Sequence, residues 1–304
     1  MEIFFWGTRG SIPCPGAHTV RYGGNTTCVE IRAGSQRIFV DAGTGIRNAG
    51  GHILANDGPS GNDIQLLMTH THWDHIQGFP FFVPIFIPGN KIHIRGPHMP
   101  LESFADVIRG QMQYSYFPVK YGELGAELTT ETLREESFMI GDVKVTPKYV
   151  NHPVMTLAYR FDHDGKSICF MTDIEPYRDI IYNGVCPSDE EREEFEEIQA
   201  LVASQNQRLV DFVEESDVLV MDAQYTHEEY LDGKIGWGHT SMEDAIRIAR
   251  KARARHLVFA HHDPERTDDQ LDRLVGHHRD VLGAEKGCSI EELSATVEGS
   301  SITA

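Results

Sequence analysis

The sequence has few of the features that mark secreted, membrane-spanning or polyanion-coating proteins. Its five cysteines, Cys14, Cys28, Cys169, Cys186 and Cys288, are odd in number and form no C-x-x-C pair. That argues against a disulfide framework and a thiolate metal site, and for reduced thiols in a cytoplasmic protein. Positive charge is also scarce, with 27 Lys+Arg against 46 Asp+Glu and a formal net charge of -19. A protein that grips a long polyanion needs a basic face, so nucleic acid is not the expected partner. A small anion remains compatible, because charges beyond roughly 8 Å are largely screened and the local field of a site dominates. Long apolar runs are missing as well. The stretch from Phe79 to Ile87 is broken by Pro80 and Pro84, too short to span a bilayer and better suited to a core or pocket wall. Met1-Glu2-Ile3-Phe4-Phe5-Trp6-Gly7 lacks the basic start and the length of a signal peptide.

What is abundant is histidine in one place. The apolar run Ile64-Gln65-Leu66-Leu67-Met68 ends in Thr69-His70-Thr71-His72-Trp73-Asp74-His75. Strand side chains alternate faces, so His70 and His72 point the same way and can bite one ion. Trp73 turns the corner, and Asp74 and His75 leave in another direction, toward a second ion. Four further apolar strands end in a polar group: Val150 before His152, Met171 before Asp173, Met221 before Asp222 and Ala260 before His261. If these strand ends share a rim, His70, His72, Asp74, His75, His152, Asp173 and His261 form one ligand set. One tetrahedral zinc takes four ligands, so the count favours two ions.

Strands are expected at residues 2–6, 27–31, 37–40, 64–68, 91–95, 143–150, 167–171, 218–222 and 257–260. Helices are expected from Pro100 as a first-turn residue, from the Ser188-x-x-Glu191 capping pattern to Val202, over 207–215 and over 242–253. The acidic run after Ser188 reads as a solvated face. Tyr114, Tyr116 and Phe117 read as core, substrate lid or subunit contact. Asp41, at a strand end before turn glycines, suits either a hydrogen bond to a ligand histidine or capping of the turn amides. Thr8-Arg9-Gly10-Ser11 and Arg21-Tyr22-Gly23-Gly24-Asn25 read as closing loops, with reach to a substrate phosphate as the other reading. This order suggests an α/β fold of two packed sheets with helices outside. No repeat or composition break divides residues 1–304, read as a single domain with lid or interface insertions near 100–130 and 186–204.

His70-Thr-His72-Trp-Asp74-His75 resembles the signature of the metallo-β-lactamase superfamily of binuclear metallohydrolases. The resemblance implies a four-layer αββα sandwich. It also implies that His70, His72 and His152 hold one ion, that Asp74, His75 and His261 hold a second, and that Asp173 bridges them. The group implied is two divalent metal ions, zinc first, with manganese, iron and cobalt also suited to His and Asp donors. Asp74 counts both as ligand and as catalytic carboxylate, about a metal-bridging hydroxide.

Gly236-Trp237-Gly238-His239-Thr240-Ser241 looks like a segment of the phosphodiesterase branch, which includes RNase Z and the phosphoribosyl cyclic phosphodiesterase. Thr240 and Glu243 read as a capping box that sets His239 at a helix start, where an anion binds and a proton can be delivered to a leaving alkoxide. Asp222 then orients His239 or a ligand. The basic arm of RNase Z has no counterpart here. His72 stands where flavodiiron oxygen reductases carry Glu, which favours hydrolysis. The expected activity is hydrolysis of a small nucleotide-type phosphodiester, cyclic ones first. The alternatives are an RNA-processing phosphodiesterase, a thioester or lactone hydrolase of the same fold, and a non-catalytic metal-holding protein. A homodimer is compatible with the sequence, and no membrane partner is expected.

Overall fold

The computed structural model describes residues 1–285 and 287–304. The first sheet holds β1 (Glu2–Gly7), β2 (Cys28–Ala33), β3 (Gln36–Val40), β4 (Asp63–Leu67), β5 (Lys91–Pro97) and β6 (Glu127–Leu133). The second holds β7 (Phe138–Ile140), β8 (Val143–Val150), β9 (Thr156–His163), β10 (Lys166–Met171), β11 (Val218–Asp222), β12 (His256–Ala260) and β13 (Glu292–Ala295), and β14 (Ser301–Thr303) returns to the first. The strand orders are β14-β1-β2-β3-β4-β5-β6 and β13-β12-β11-β10-β9-β8-β7. β3 to β6 run parallel, as do β10 to β13.

Side-chain alternation explains the layers. In β11, Val218 and Val220 face the core between the sheets together with Ile38, Val40, Phe161 and Phe170. Leu219 and Met221 face the other way, onto a second core. That outer core is covered by α4 (Arg192–Phe212), α6 (Met242–Lys251) and α7 (Asp268–Ala284). On the far face of the first sheet, Phe39, Leu66 and Ile94 pack under α1 (Ile46–Asn56) and α3 (Phe104–Gly110). Two short helices, α2 (Trp73–Ile76) and α5 (His227–Leu231), lie in loops. The layers therefore run helix, sheet, sheet, helix, the αββα arrangement expected. No helix among the described residues is long and apolar enough to cross a membrane.

Several local expectations change. The helix expected from Pro100 starts later, because Ser103 caps it by accepting from the Asp106 amide, and Leu101 is left fully exposed. The helices expected at 188–202 and 207–215 are one helix, α4. The Ser188 hydroxyl does accept from the Glu191 amide at 3.3 Å, but it closes a turn ahead of the helix. Tyr114 and Tyr116 are mostly solvent-exposed, which removes the core reading for them. Arg9 is fully buried, donating to the carbonyls of Gly23, Asp263 and Arg266, and so ties loops together. Arg21 pairs on the surface with Asp269 and Asp272.

Candidate metal centre

The chain leaves the C-terminal ends of β3, β4, β8, β10, β11 and β12 carrying Asp41, His70, His152, Asp173, Asp222 and His261. Ligand sites in α/β sheets collect at such strand ends, where loops begin and backbone direction changes. The turns are tight enough that Asp41, Asp173 and His261 take φ of +63°, +54° and +60°. That left-handed conformation costs non-glycine residues of order 1–3 kcal/mol each and concentrates at functional sites.

His70, His72, His152 and Asp173 each offer a ligand atom within 4.8 Å of the others, and so do Asp74, His75, Asp173 and His261. Asp173 belongs to both groups. Its Oδ2 lies 3.7 Å from His70 Nε2, and its Oδ1 lies 3.1 Å from His75 Nε2 and 3.2 Å from His261 Nε2. His72 Nδ1 and His152 Nε2 are 3.1 Å apart. Tetrahedral ligands at zinc–nitrogen lengths stand about 3.3 Å apart, so the spacing fits.

Three of the remaining ring nitrogens are held from behind. His75 Nδ1 meets Asp41 Oδ2 at 2.7 Å, His152 Nδ1 donates to the Gly238 carbonyl at 2.9 Å, and His70 Nδ1 lies 3.0 Å from Thr69 Oγ1. Such contacts set tautomer and ring orientation in metal sites. Of the two sequence readings of Asp41, the contact with a candidate ligand histidine holds, while capping of its own turn does not: the Ala42, Gly43 and Gly45 amides go to the carbonyls of His75, Thr27 and Thr26, and Asp41 Oδ1 accepts instead from the Thr69 amide. By contrast His70 Nε2, His75 Nε2 and Asp173 Oδ1 are buried without a hydrogen-bond partner. Buried polar atoms are almost always satisfied, and a divalent cation would satisfy these. The donor set thus fits the group that the resemblance implies.

Charge divides the two groups. Burial strips hydration from protonated His70, His72 and His152 and lowers their pKa values, His152 to about 4, leaving neutral imidazoles suited to coordination. Burial also opposes charge on His75 and His261, but Asp173 and Asp74 outweigh it, and His261 rises to about 9. Burial likewise opposes the charged carboxylates of Asp74 and Asp173, yet the facing histidines hold both below the usual range. Positive charge is thus favoured where a second cation would sit.

Beside these groups stands His239. Its Nδ1 meets Asp222 Oδ2 at 2.9 Å, and its ring stacks on His261 with centroids 4.9 Å apart. Asp222 also accepts from the amides of Thr240 and Asp173, so one buried carboxylate fastens three loops. The expected Thr240–Glu243 capping box is absent. Ser241 caps α6 by accepting from the Asp244 amide, Thr240 donates its hydroxyl to the Ile174 carbonyl, and Glu243 accepts from the His227 amide. His239 is therefore placed by Asp222 and not by a free helix end, which replaces the helix-terminus anion site with a His–Asp pair.

Sequence reading missed several supporting residues. A Cβ on Gly10 would stand 2.3 Å from the His261 ring, and one on Gly238 2.3 Å from His152 Nδ1, so only glycine lets these loops close on the histidines. The Ser11 amide donates to Asp74 Oδ2 at 2.7 Å. Glu175 accepts from the amides of Gly236 and Gly238 and from Tyr230 Oη. Its one sequence signal was its place two residues after Asp173.

Ribonuclease Z of Clostridium novyi (strain NT) is 23% identical over 302 residues, covering 86% of this chain and 88% of its own. The metallo-beta-lactamase fold protein YhfI from Bacillus subtilis superposes with a TM-score of 0.64 at 15% identity, over 99% of this chain and 98% of its own. A diphosphatase from the PhnP family superposes with a TM-score of 0.61 at 16% identity, over 99% and 97%. These structures share the fold. Residues 36–262 match the family described as the beta-lactamase superfamily domain, and with most of its length inside that match the chain belongs to this family.

Proposed function

We propose that this protein is a metal-dependent phosphodiesterase whose substrate is a small nucleotide-type phosphodiester, cyclic ones first. The observation that carries the reading is the pair of ligand groups sharing Asp173 with the Asp222–His239 pair beside them. His70, His72, His152 and Asp173 would hold one divalent ion, and Asp74, His75, His261 and Asp173 a second, zinc first. When bound, such a pair neutralises phosphoryl oxygens and acidifies water. His239, with Nδ1–H donating to Asp222, would act through Nε2, delivering the Nε2 proton of its imidazolium form to the departing alkoxide and becoming the neutral ring. Asp222 orients the ring and balances the imidazolium charge. A thioester or lactone hydrolase has little use for this His–Asp pair. Since both sheets contribute ligands around one central core, we read the chain as one working domain.

A small substrate is favoured by how the nearby arginines are used. Arg9 lies against Asp268, Arg21 pairs with Asp269 and Asp272, and Arg266 pairs with Glu229. They form no open basic track for a polyanion. The RNA-processing reading is favoured by one observation, the likeness to ribonuclease Z over most of both chains.

A turnover screen of 3′,5′- and 2′,3′-cyclic nucleotides, cyclic phosphoribose, bis-p-nitrophenyl phosphate and a tRNA with a 3′ trailer, with added Zn²⁺ or Mn²⁺, separates these. Turnover of the small diesters is expected. Cleavage of the trailer alone, with steeply salt-dependent binding, would transfer the reading to RNA processing. Turnover of a thioester or lactone with no phosphodiester cleaved would sink it.

A further inference from the structure

We propose that the cleft beside His152 is the subsite for the nucleobase of the substrate, with Arg178 as its specificity-determining residue; this deepens the phosphodiesterase reading and rests on it. The cleft measures about 390 Å³ and is lined by His152, Pro153, Tyr177, Arg178, Ile180 and Ile235, among others. That volume lies at the low end of small-molecule sites, roughly 300–1,000 Å³. Because His152 belongs both to the cleft and to the first ligand group, the cleft adjoins the place where a phosphate would be held. Ile180 is 86% exposed and Ile235 49%. Both line the cleft, so its mouth offers apolar surface to a ring that enters it.

Arg178 is held ready. Its guanidinium lies 4.6 Å over the Tyr230 ring, and the Tyr230 hydroxyl donates to Glu175. The same carboxylate takes the Gly236 and Gly238 amides, and the Gly238 carbonyl takes His152 Nδ1. The arginine, the cleft wall and the candidate ligand are therefore coupled through one buried carboxylate. The nearest carboxylate to Arg178 is that of Asp244 at 3.8 Å, beyond hydrogen-bonding range and already engaged by Arg247 at 2.7 Å. A planar cation with spare donors, flanked by isoleucine and proline, suits a flat ring bearing ring-nitrogen or carbonyl acceptors. A second phosphate would meet those apolar walls, so the base is the better occupant.

The test compares wild type with Arg178→Ala, Arg178→Lys and Ile180→Glu on a cyclic nucleotide and on base-free cyclic phosphoribose, with calorimetric titration of AMP and UMP. For Arg178→Ala, KM for the nucleotide should rise about tenfold more than KM for the base-free substrate, with kcat changing less, as expected for loss of a stacking contact. Lysine, a point charge that cannot stack, should restore only part of this, and Ile180→Glu, at an exposed position, should mimic the loss without lowering the melting temperature. Equal effects on both substrates, or none, would overturn the subsite, and so would a dependence on added phosphates in place of the base. If wild type turns over no phosphodiester, the functional reading falls by itself. AMP and UMP binding that Arg178→Ala weakens would then still uphold the cleft, and binding it leaves alone would overturn it.

Discussion

Asp222 and Gly238 show how much rests on single residues near the candidate ligand groups. Asp222 is fully buried, accepts from the amides of Asp173, Thr240 and Gln224 and faces His239 Nδ1. Removing the imidazole that it orients should cost the proton transfer alone. His239→Ala is expected to lower kcat on a phosphodiester by about 10²–10⁴-fold, with metal content measured by atomic absorption at wild-type stoichiometry. Gly238 has φ of +86° and leaves no room for a Cβ against His152. Gly238→Ala should destabilise by more than about 1 kcal/mol and displace a ligand as well. Metal content below wild type in the folded variant would be the signature; full occupancy would contradict the role given to His152.

Among the elements, α6 and β2 make separable contributions. The cap of α6 is the Ser241 hydroxyl on the Asp244 amide. Ser241→Ala should lower stability by about 1 kcal/mol, read as a shift in urea midpoint, whereas Glu243→Gln should leave the helix cap intact. In β2, buried Glu30 accepts from Trp6 Nε1 at 2.9 Å, Arg32 at 2.9 Å and Arg37 at 2.6 Å. Burial pushes its carboxyl up, but Arg32 and Arg37 outweigh that and leave it below the ordinary value. A depressed folded-state pKa means stability present above the unfolded value, about 4.3, and lost as pH falls through the folded one. Glu30→Gln should therefore be clearly less stable than wild type at pH 7, with the gap narrowing on acidification below about pH 4. Chemical denaturation at both pH values checks the sign.

At the scale of the whole molecule, the ligand groups join the two sheets. His70, His72, Asp74 and His75 follow β4 of the first, while His152, Asp173 and His261 follow β8, β10 and β12 of the second. Ions held there bind only the folded state, so loading should stabilise by about 2.7 kcal/mol at a hundredfold excess over Kd. Melting with and without a chelator should differ by several degrees. An unchanged melting temperature would mean that the ligand groups do not bind the added metal. Pairing of Arg9, Arg21 and Arg266 with carboxylates also predicts a shallow salt dependence of substrate binding.

The meeting of the candidate ligand residues was legible in the sequence because His70, His152, Asp173 and His261 come just after apolar runs and His72, Asp74 and His75 crowd beside His70, which is a local pattern. Two packed sheets with helices outside were legible from the succession of strands and helices, and the four layers from the resemblance, whereas which of the uniformly apolar Val218, Leu219, Val220 and Met221 face which core was decided by packing. Partner choice was not legible. Whether Thr240 caps a helix or bonds the Ile174 carbonyl, whether Arg9 reaches solvent or Asp268, and whether 188–215 holds one helix or two depend on which distant groups arrive alongside. Hydrogen bonds are short and directional, so composition names the donors and acceptors, and only the packed chain decides which of them meet.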